Sequence, residues 1–294
     1  MEQLELLGAC LLELLVELEG TGVALIVGGG YGLFLKRNQA SANDQRRLIE
    51  DIQQVRSTND LDLFLGTELL ADSGQARHLA EALCRLGFVV VETAKFYQFR
   101  KTFTEANQDF TVKIDLLTGP PSSAIDPNNL RIEDSRRIKP RDKTISLHAR
   151  RTDEAVAIDE ALVPVVIQGS RFSGENAQGQ VFLPNALSYL LMKLHAFSDK
   201  ELCGESKNAS KHAADVYQVL AVTDEEEWET AKNLQKKFSA SAAVKNAHRI
   251  VQQQFIKPDQ MGIIRLREYS PVLKQANLTE FSLILAELFT QPDY

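Results

Sequence analysis

The feature that most constrains this chain is a change of hydrophobic period near residue 184. Before it, apolar residues come in short runs. Leu61, Leu63 and Leu65 alternate with Asp60, Asp62 and Phe64, which is the two-residue period of a strand. After it, apolar positions recur at helical spacing over Pro184 to Phe197, Ser210 to Leu220, Glu225 to Phe238, Ala242 to Phe255 and Glu280 to Leu288. The pattern predicts an α+β fold: a mixed sheet with flanking helices, then a helical lobe. Gly169 to Gln180 is polar and Gly-rich, so it reads as a linker or flexible loop. The expected division is an α/β domain over 1–170 and a helical domain over 171–294, with Pro184 at the first position of a helix.

Within the first half, Val23 to Val27 reads as a buried strand closed by the tight turn Gly28-Gly29-Gly30, and Tyr31 to Lys36 as the start of a helix. Asn38 to Asp44 reads as a loop, and Leu48, Ile49, Ile52 and Val55 fall at helical spacing. Ala71 to Leu86 is expected to be one helix, followed by a meander of strands over Phe88 to Glu92, Phe96 to Thr104 and Phe110 to Leu117. Strands are also expected at Thr144 to Leu147 and Val163 to Ile167, the latter at a sheet edge because of Pro164.

Composition excludes several classes. A net charge of -7 over 294 residues argues against a general nucleic-acid coat protein, though a local basic groove stays open. The three cysteines, Cys10, Cys84 and Cys203, lie far apart. They give neither a disulfide framework nor zinc spacing, which suits a reducing cytoplasm. The Leu-rich N-terminus is interrupted by Glu2, Glu5, Glu13, Glu17 and Glu19. It reads as an amphipathic helix packed on the core, not as a signal peptide or membrane span.

Three features carry chemistry. Backbone N–H groups at a Gly-rich turn leading into a helix form a natural phosphate site. Gly28-Gly29-Gly30 fits this, although a plain turn would look the same and the spacing matches neither a P-loop nor a dinucleotide motif. Asp60 and Asp62 share one strand face. Carboxylates so close repel unless a cation lies between them, and oxygen ligands favour Mg²⁺ or Mn²⁺ held together with substrate phosphates. A solvent-facing strand with salt-bridged aspartates is the alternative. Asp115 interrupts the apolar run Val112 to Leu117. On a strand beside Asp60 it would complete a triad able to hold two divalent ions; a lysine-paired strand end is the alternative.

Together these residues resemble the nucleotidyltransferase superfamily of the DNA polymerase β type: a Gly-Gly turn, an Asp-x-Asp strand and a third acid on a later strand, in that order. The resemblance implies that Asp60 and Asp62 bind metal, and that Asp115 is a third ligand helping to deprotonate an acceptor hydroxyl. The segment between the glycines and Asp60 is longer than the family's usual spacing. In the helical half, Met192-Lys193-Leu194-His195-Ala196 and Ser210-Lys211-His212-Ala213-Ala214-Asp215 are similar to elements of AbiEii-type nucleotidyltransferases, toxins of abortive-infection and toxin–antitoxin pairs. Arg56-Ser57 resembles their lead-in to the Asp-x-Asp strand, without the residue that normally separates the pair. The resemblance implies transfer of a nucleotide from a nucleoside triphosphate, with tRNA as a possible acceptor and a winged-helix antitoxin as a possible partner. Lys193 and Lys211 would neutralise phosphate charge, and Asp215 would orient Lys211 through an i,i+4 pair; a surface helix salt bridge is the bland alternative. A small-molecule nucleotidyltransferase and a catalytically degenerate binding partner are the competing functions. His195 reads as packed, and the basic run Arg131 to Arg151 as a solvated surface or a grip on RNA phosphates.

Overall fold

The structure, a computed structural model, describes all residues except 1–2, 43–45, 50–57, 106–107, 122–125, 134–135, 272, 274 and 290–294. The chain forms two compact units that interleave in sequence. The first comprises Met1–Leu35, Ser57–Asp153 and Leu162–Pro184; the second comprises Lys36–Arg56, Glu154–Ala161 and Asn185–Tyr294. These differ from a division at residue 170, because the sheet of the first unit runs on to Leu183.

In the first unit the helices are α1 (Gln3–Glu17), the start of α2 (Gly29–Ala42), α3 (Thr67–Ala71) and α4 (Ser73–Arg85). The strands are β1 (Ile26–Val27), β2 (Asp60–Phe64), β3 (Val89–Val90), β4 (Gln98–Glu105), β5 (Gln108–Thr118), β6 (Leu130–Glu133), β7 (Arg137–Pro140), β8 (Ala149–Arg151), β9 (Val163–Ser170) and β10 (Asn176–Leu183). They form one mixed sheet in the order β6-β7-β8-β5-β2-β1-β10-β9, with β4 also paired to β5 and β3 to β4. The β2–β5, β5–β8 and β1–β10 pairs are parallel; the others are antiparallel.

Alternation decides which face is covered. Leu61, Leu63, Val112, Ile114, Leu116, Val181 and Leu183 are fully buried in one core with Leu7, Leu11 and Leu14 of α1 and Leu79 and Leu83 of α4. Each such side chain contributes roughly 1.5–3 kcal/mol by leaving water. The intervening residues, Asp60, Asp62, Lys113 and Asp115 among them, lie on the opposite face and are only partly buried.

The stretch read as a linker is a hairpin. Register runs unbroken from Asn176↔Ser170 to Leu183↔Val163. Its Gly content serves packing: a Cβ at Gly179 would lie 2.9 Å from Leu15 Cδ1, so the glycine lets α1 approach β10. Arg171 Nη2 donates to Glu13 Oε2 at 2.8 Å, tying the hairpin turn to the same helix. β9 is an edge strand, as Pro164 requires.

Other expectations are corrected by the structure. Asn38 to Ala42 continue α2 instead of forming a loop, and Leu48 and Ile49 are not helical; Ile52 and Val55 lie outside the described residues. Ala71 to Leu86 is broken at Asp72, whose carboxylate caps α4 by accepting from Gly74 N at 2.8 Å and Gln75 N at 3.1 Å. Thr144 to Leu147 is irregular, and Ile145 and Leu147 are buried without a ladder. The basic run instead supplies β6, β7 and β8: its charges alternate with Ile132, Ile138 and Ala149 in the strand period.

The second unit contains the rest of α2 with α5 (Ala186–Leu202), α6 (Ser206–Val222), α7 (Glu225–Lys237), α8 (Ala242–Gln254), α9 (Met261–Tyr269) and α10 (Gln275–Phe289). α9 has no counterpart in the sequence reading. Asn185, not Pro184, starts α5. Its side chain accepts from Ser188 N at 2.9 Å and donates to the carbonyls of Ala157 at 2.8 Å and Glu160 at 2.9 Å. One fully buried residue thus caps α5 and fastens Glu154–Ala161 to it. Asp224 and Ser241 cap α7 and α8. Phe197, Phe255, Phe281 and Tyr217 pack ring to ring, with centroids 4.8 to 6.1 Å apart. Trp228 is buried. His195 packs, as expected, with Nε2 3.0 Å from the Ala243 carbonyl oxygen. Among the described residues no helix is long and apolar enough to cross a membrane. Cys10, Cys84 and Cys203 are free thiols.

Candidate active site

The open face of the sheet in the first unit gathers the acids. β2 and β5 pair in parallel with Asp62 opposite Asp115 and Asp60 opposite Lys113. Asp60, Asp62 and Asp115 therefore share one face across adjacent strands. β4 brings Gln98 opposite Asp115, and Gln98 Nε2 donates to Asp115 Oδ1 at 2.6 Å. Burial raises the Asp115 carboxyl above its ordinary value, and the negative charge of Asp60 adds to the rise. The Gln98 hydrogen bond and the positive charges of Lys113 and Arg150 pull the other way.

The glycine turn meets these acids directly. Gly28 N–H donates to the Asp62 carbonyl oxygen at 2.8 Å, so the turn continues the β1–β2 pairing. Gly29 has φ of +61°, a conformation that side chains disfavour, and a Cβ there would lie 1.7 Å from Asp62 Oδ2. The carboxylate thus occupies the space that any other residue at 29 would fill. A Cβ at Gly28 would lie 2.5 Å from the Phe64 ring. α2 begins at this turn, with Gly32 N–H donating to the Gly28 carbonyl oxygen at 2.8 Å, and Gly30 lies against Thr58. Gly29→Ala is expected to displace Asp62 or the turn and to lose about 1–3 kcal/mol from backbone strain alone. Urea melts with and without Mg²⁺-triphosphate would measure it; an unaltered midpoint would show that the notch is not needed.

No protein-family model matches the chain, and no curated protein matches it.

Arg56 and Ser57 lie outside the described residues. Among the described residues no group of three or more His, Cys, Asp or Glu side chains is arranged as a metal-ligand set. Asp60, Asp62 and Asp115 nevertheless offer only oxygen donors, and Asp60 opposes ionisation of Asp115. A divalent cation would relieve that conflict, so the residues fit one.

The remaining expected residues belong to the second unit. Lys193 on α5 and Asp215 on α6 are 7% and 4% exposed. Lys193 Nζ donates to Asp215 Oδ2 at 2.7 Å, and His212 Nδ1 lies 3.8 Å from the same oxygen. Asp215 therefore holds Lys193 across two helices, in place of the expected pairing with Lys211 one turn away. Lys36, buried on α2, pairs with Glu227 and lies 5.8 Å from the centre of the Tyr189 ring.

Gln98 was missed in the sequence, as were Arg100, Lys113 and Arg150 as members of this face. The available signal was phase. Gln98 and Arg100 on β4, and Lys113 and Asp115 on β5, are each two residues apart, so each pair shares a face. His148, just before β8, stacks edge-on against Phe96 with centroids 5.1 Å apart. Burial, with help from Lys139 and Arg137, pushes its pKa down from 6.5 to about 4. Between those values the unfolded chain holds a proton that the native state lacks. The stability that neutral His148 contributes is thus complete above 6.5 and drains as pH falls to about 4. His148→Phe is expected to flatten the acid limb of stability against pH in urea melts; an unchanged limb would contradict the assignment.

Proposed function

We propose that this protein is a metal-dependent nucleotidyltransferase that moves a nucleoside monophosphate from a triphosphate to an acceptor hydroxyl. The observation that carries the reading is the fit of the Asp62 carboxylate into the notch at Gly29, on the face that also bears Asp60 and Asp115. Nothing in a plain turn demands that contact. It brings backbone N–H groups suited to phosphate beside acids suited to the cation that accompanies phosphate.

In this reading Gly28, Gly29, Gly30 and the first turn of α2 receive the triphosphate. Asp60, Asp62 and Asp115 would hold Mg²⁺ or Mn²⁺, which supplies charge neutralisation for the phosphates and the leaving pyrophosphate. Asp115 is suited to accept the proton of the acceptor hydroxyl, since burial makes it a stronger base than an exposed carboxylate. Gln98 fixes its orientation. The arrangement of the polymerase β-type family, and the AbiEii-type toxin reading with a tRNA acceptor and a winged-helix antitoxin, belong to this proposal as its finer form.

Incubation with each α-³²P-labelled nucleoside triphosphate, Mg²⁺ and cell lysate tests it. The expected result is label on an acceptor, lost on chelation with EDTA. Absence of label, together with no thermal shift from any Mg²⁺-triphosphate, would remove the reading.

A further inference from the structure

A cleft of about 440 Å³ lies between α5, α8 and the start of α9 in the second unit. One stripe of α5, ending at Leu202, and one of α8, from Asn246 to Gln253, line it. Each contains an i, i+3, i+4, i+7 series, so each is a single helix face. The apolar part of the lining is Phe197, which is fully buried, with Ile250 and Met261, which are partly buried. Leu202 lines the same cleft but is 83% exposed, more than any other large hydrophobic residue among those described. An exposed leucine alone means little. This one stands at a hollow with apolar lining, and its backbone is held firmly.

The holding comes from the way α5 ends. Gly204 has φ of +74°. Its N–H donates to the Glu201 carbonyl oxygen at 3.0 Å, and Glu205 N–H donates to that of Lys200 at 2.9 Å. These are the paired bonds of a Schellman ending. Lys200 Nζ and Glu205 pair across the same turn at 2.9 Å, and Glu201 is tied to Arg265 of α9. Leu202, the last residue of α5, is therefore a fixed knob that needs little ordering on binding.

Two opposite charges line the cleft without meeting. Asp199 belongs to the α5 stripe and Arg249 to the α8 stripe. Arg249 Nη1 donates to Asn246 Oδ1 at 3.0 Å, one turn back on its own helix. Asp199 acts through space on Lys200, but Glu205 holds the Lys200 ammonium. Among the described residues neither Asp199 nor Arg249 has an ion-pair partner within 4.0 Å.

We infer that two copies of this chain associate through the cleft, each inserting Leu202 into the hollow of the other. A two-fold interface must be self-complementary, and here the knob, the hollow and both charges share one surface. In the pair, Asp199 of each copy meets Arg249 of the other, which makes two ion pairs that the single chain does not make. Each Leu202 leaves water against Phe197, Ile250 and Met261. The charges fix the register. This inference is independent of the transferase reading.

Sedimentation velocity of the full chain over a concentration series tests it. Wild type is expected to show a monomer–dimer equilibrium. Leu202→Ala should weaken the dimer by about tenfold for each copy of the leucine, roughly a hundredfold in all. Leu283→Ala removes a 67% exposed leucine outside the cleft and should dimerise as wild type does. Asp199→Arg sets arginine against arginine, and Arg249→Asp sets aspartate against aspartate, so each variant alone should be monomeric. Mixed in equal amounts, the two restore both opposite-charge contacts and should form a heterodimer, which also shows that both are folded. A wild type that stays monomeric throughout would overturn the inference. So would a Leu202→Ala variant or a single charge variant that dimerises as wild type does, or a mixture that fails to associate.

Discussion

Asp115→Asn is expected to lower divalent-dependent nucleotidyl transfer by about 10²–10⁴, the usual contribution of a general base, while the apo protein stays as stable as wild type or becomes more so. Asparagine keeps the oxygen that accepts from Gln98 Nε2. It removes a charge that burial and Asp60 both disfavour. The sign follows from linkage. A native carboxyl whose pKa is raised holds its proton more tightly than the unfolded chain does, so native stability falls as pH rises through the ordinary carboxylate range. Neutralising Asp115 should abolish that fall. Chemical denaturation at acid and neutral pH, beside a transfer assay, measures both effects. A variant less stable than wild type at neutral pH would mean that Asp115 makes a stabilising ion pair, and the metal-site interpretation would fail with it.

The second large effect lies in the other unit. Lys193→Met strands the Asp215 carboxylate, 4% exposed, without its ammonium partner. Breaking a buried pair from one side destabilises by about 3–5 kcal/mol, a large share of the roughly 5–15 kcal/mol that holds a native protein together. A lysine reaching into open water would cost little to remove, so the burial of Lys193 changes that expectation. The double variant Lys193→Met/Asp215→Leu replaces both charges with apolar groups and is expected to recover most of the loss. It also separates two roles. A double variant that melts like wild type but has no transfer activity assigns the pair to phosphate chemistry; one that retains activity makes the pair structural.

The sequence disclosed the sheet's core and its acids because both are written in a two-residue period. Leu61 and Leu63 point one way and Asp60 and Asp62 the other, whatever the partner strands. It could not disclose which strands would be neighbours. The pairing of β2 with β5 is parallel and spans about fifty residues of chain, so Gln98 and Lys113 gained their places only through tertiary register. Gly169 to Gln180 misled for a related reason. Glycine and polar residues mark loops when local propensity decides, yet Gly179 is present to admit Leu15, a contact with the far N-terminal helix. Asp215 was matched to Lys211 by helix spacing, which sees only its own helix, whereas the structure gives it Lys193 from α5. His148, Lys36 and Lys193 are buried polar residues, and burial of a polar side chain leaves no periodic trace.

The two-residue strand β1, which carries the glycine turn, lies between β2 and β10 in the sheet. Ile26 pairs with Phe64 on one side and with Phe182 on the other. β10 is the last strand to leave the ribosome, after Glu154–Ala161 have been given over to the second unit. A nascent chain therefore holds Asp60, Asp62 and Asp115 before it holds the brace for the glycine turn against which Asp62 fits. Truncation just past residue 170 would leave β1 at an unprotected edge with half its ladder, even though every acid and every glycine of the site would still be present in the fragment. The last support of the glycine turn thus comes from a hairpin that contributes none of the chemical groups of the proposed site.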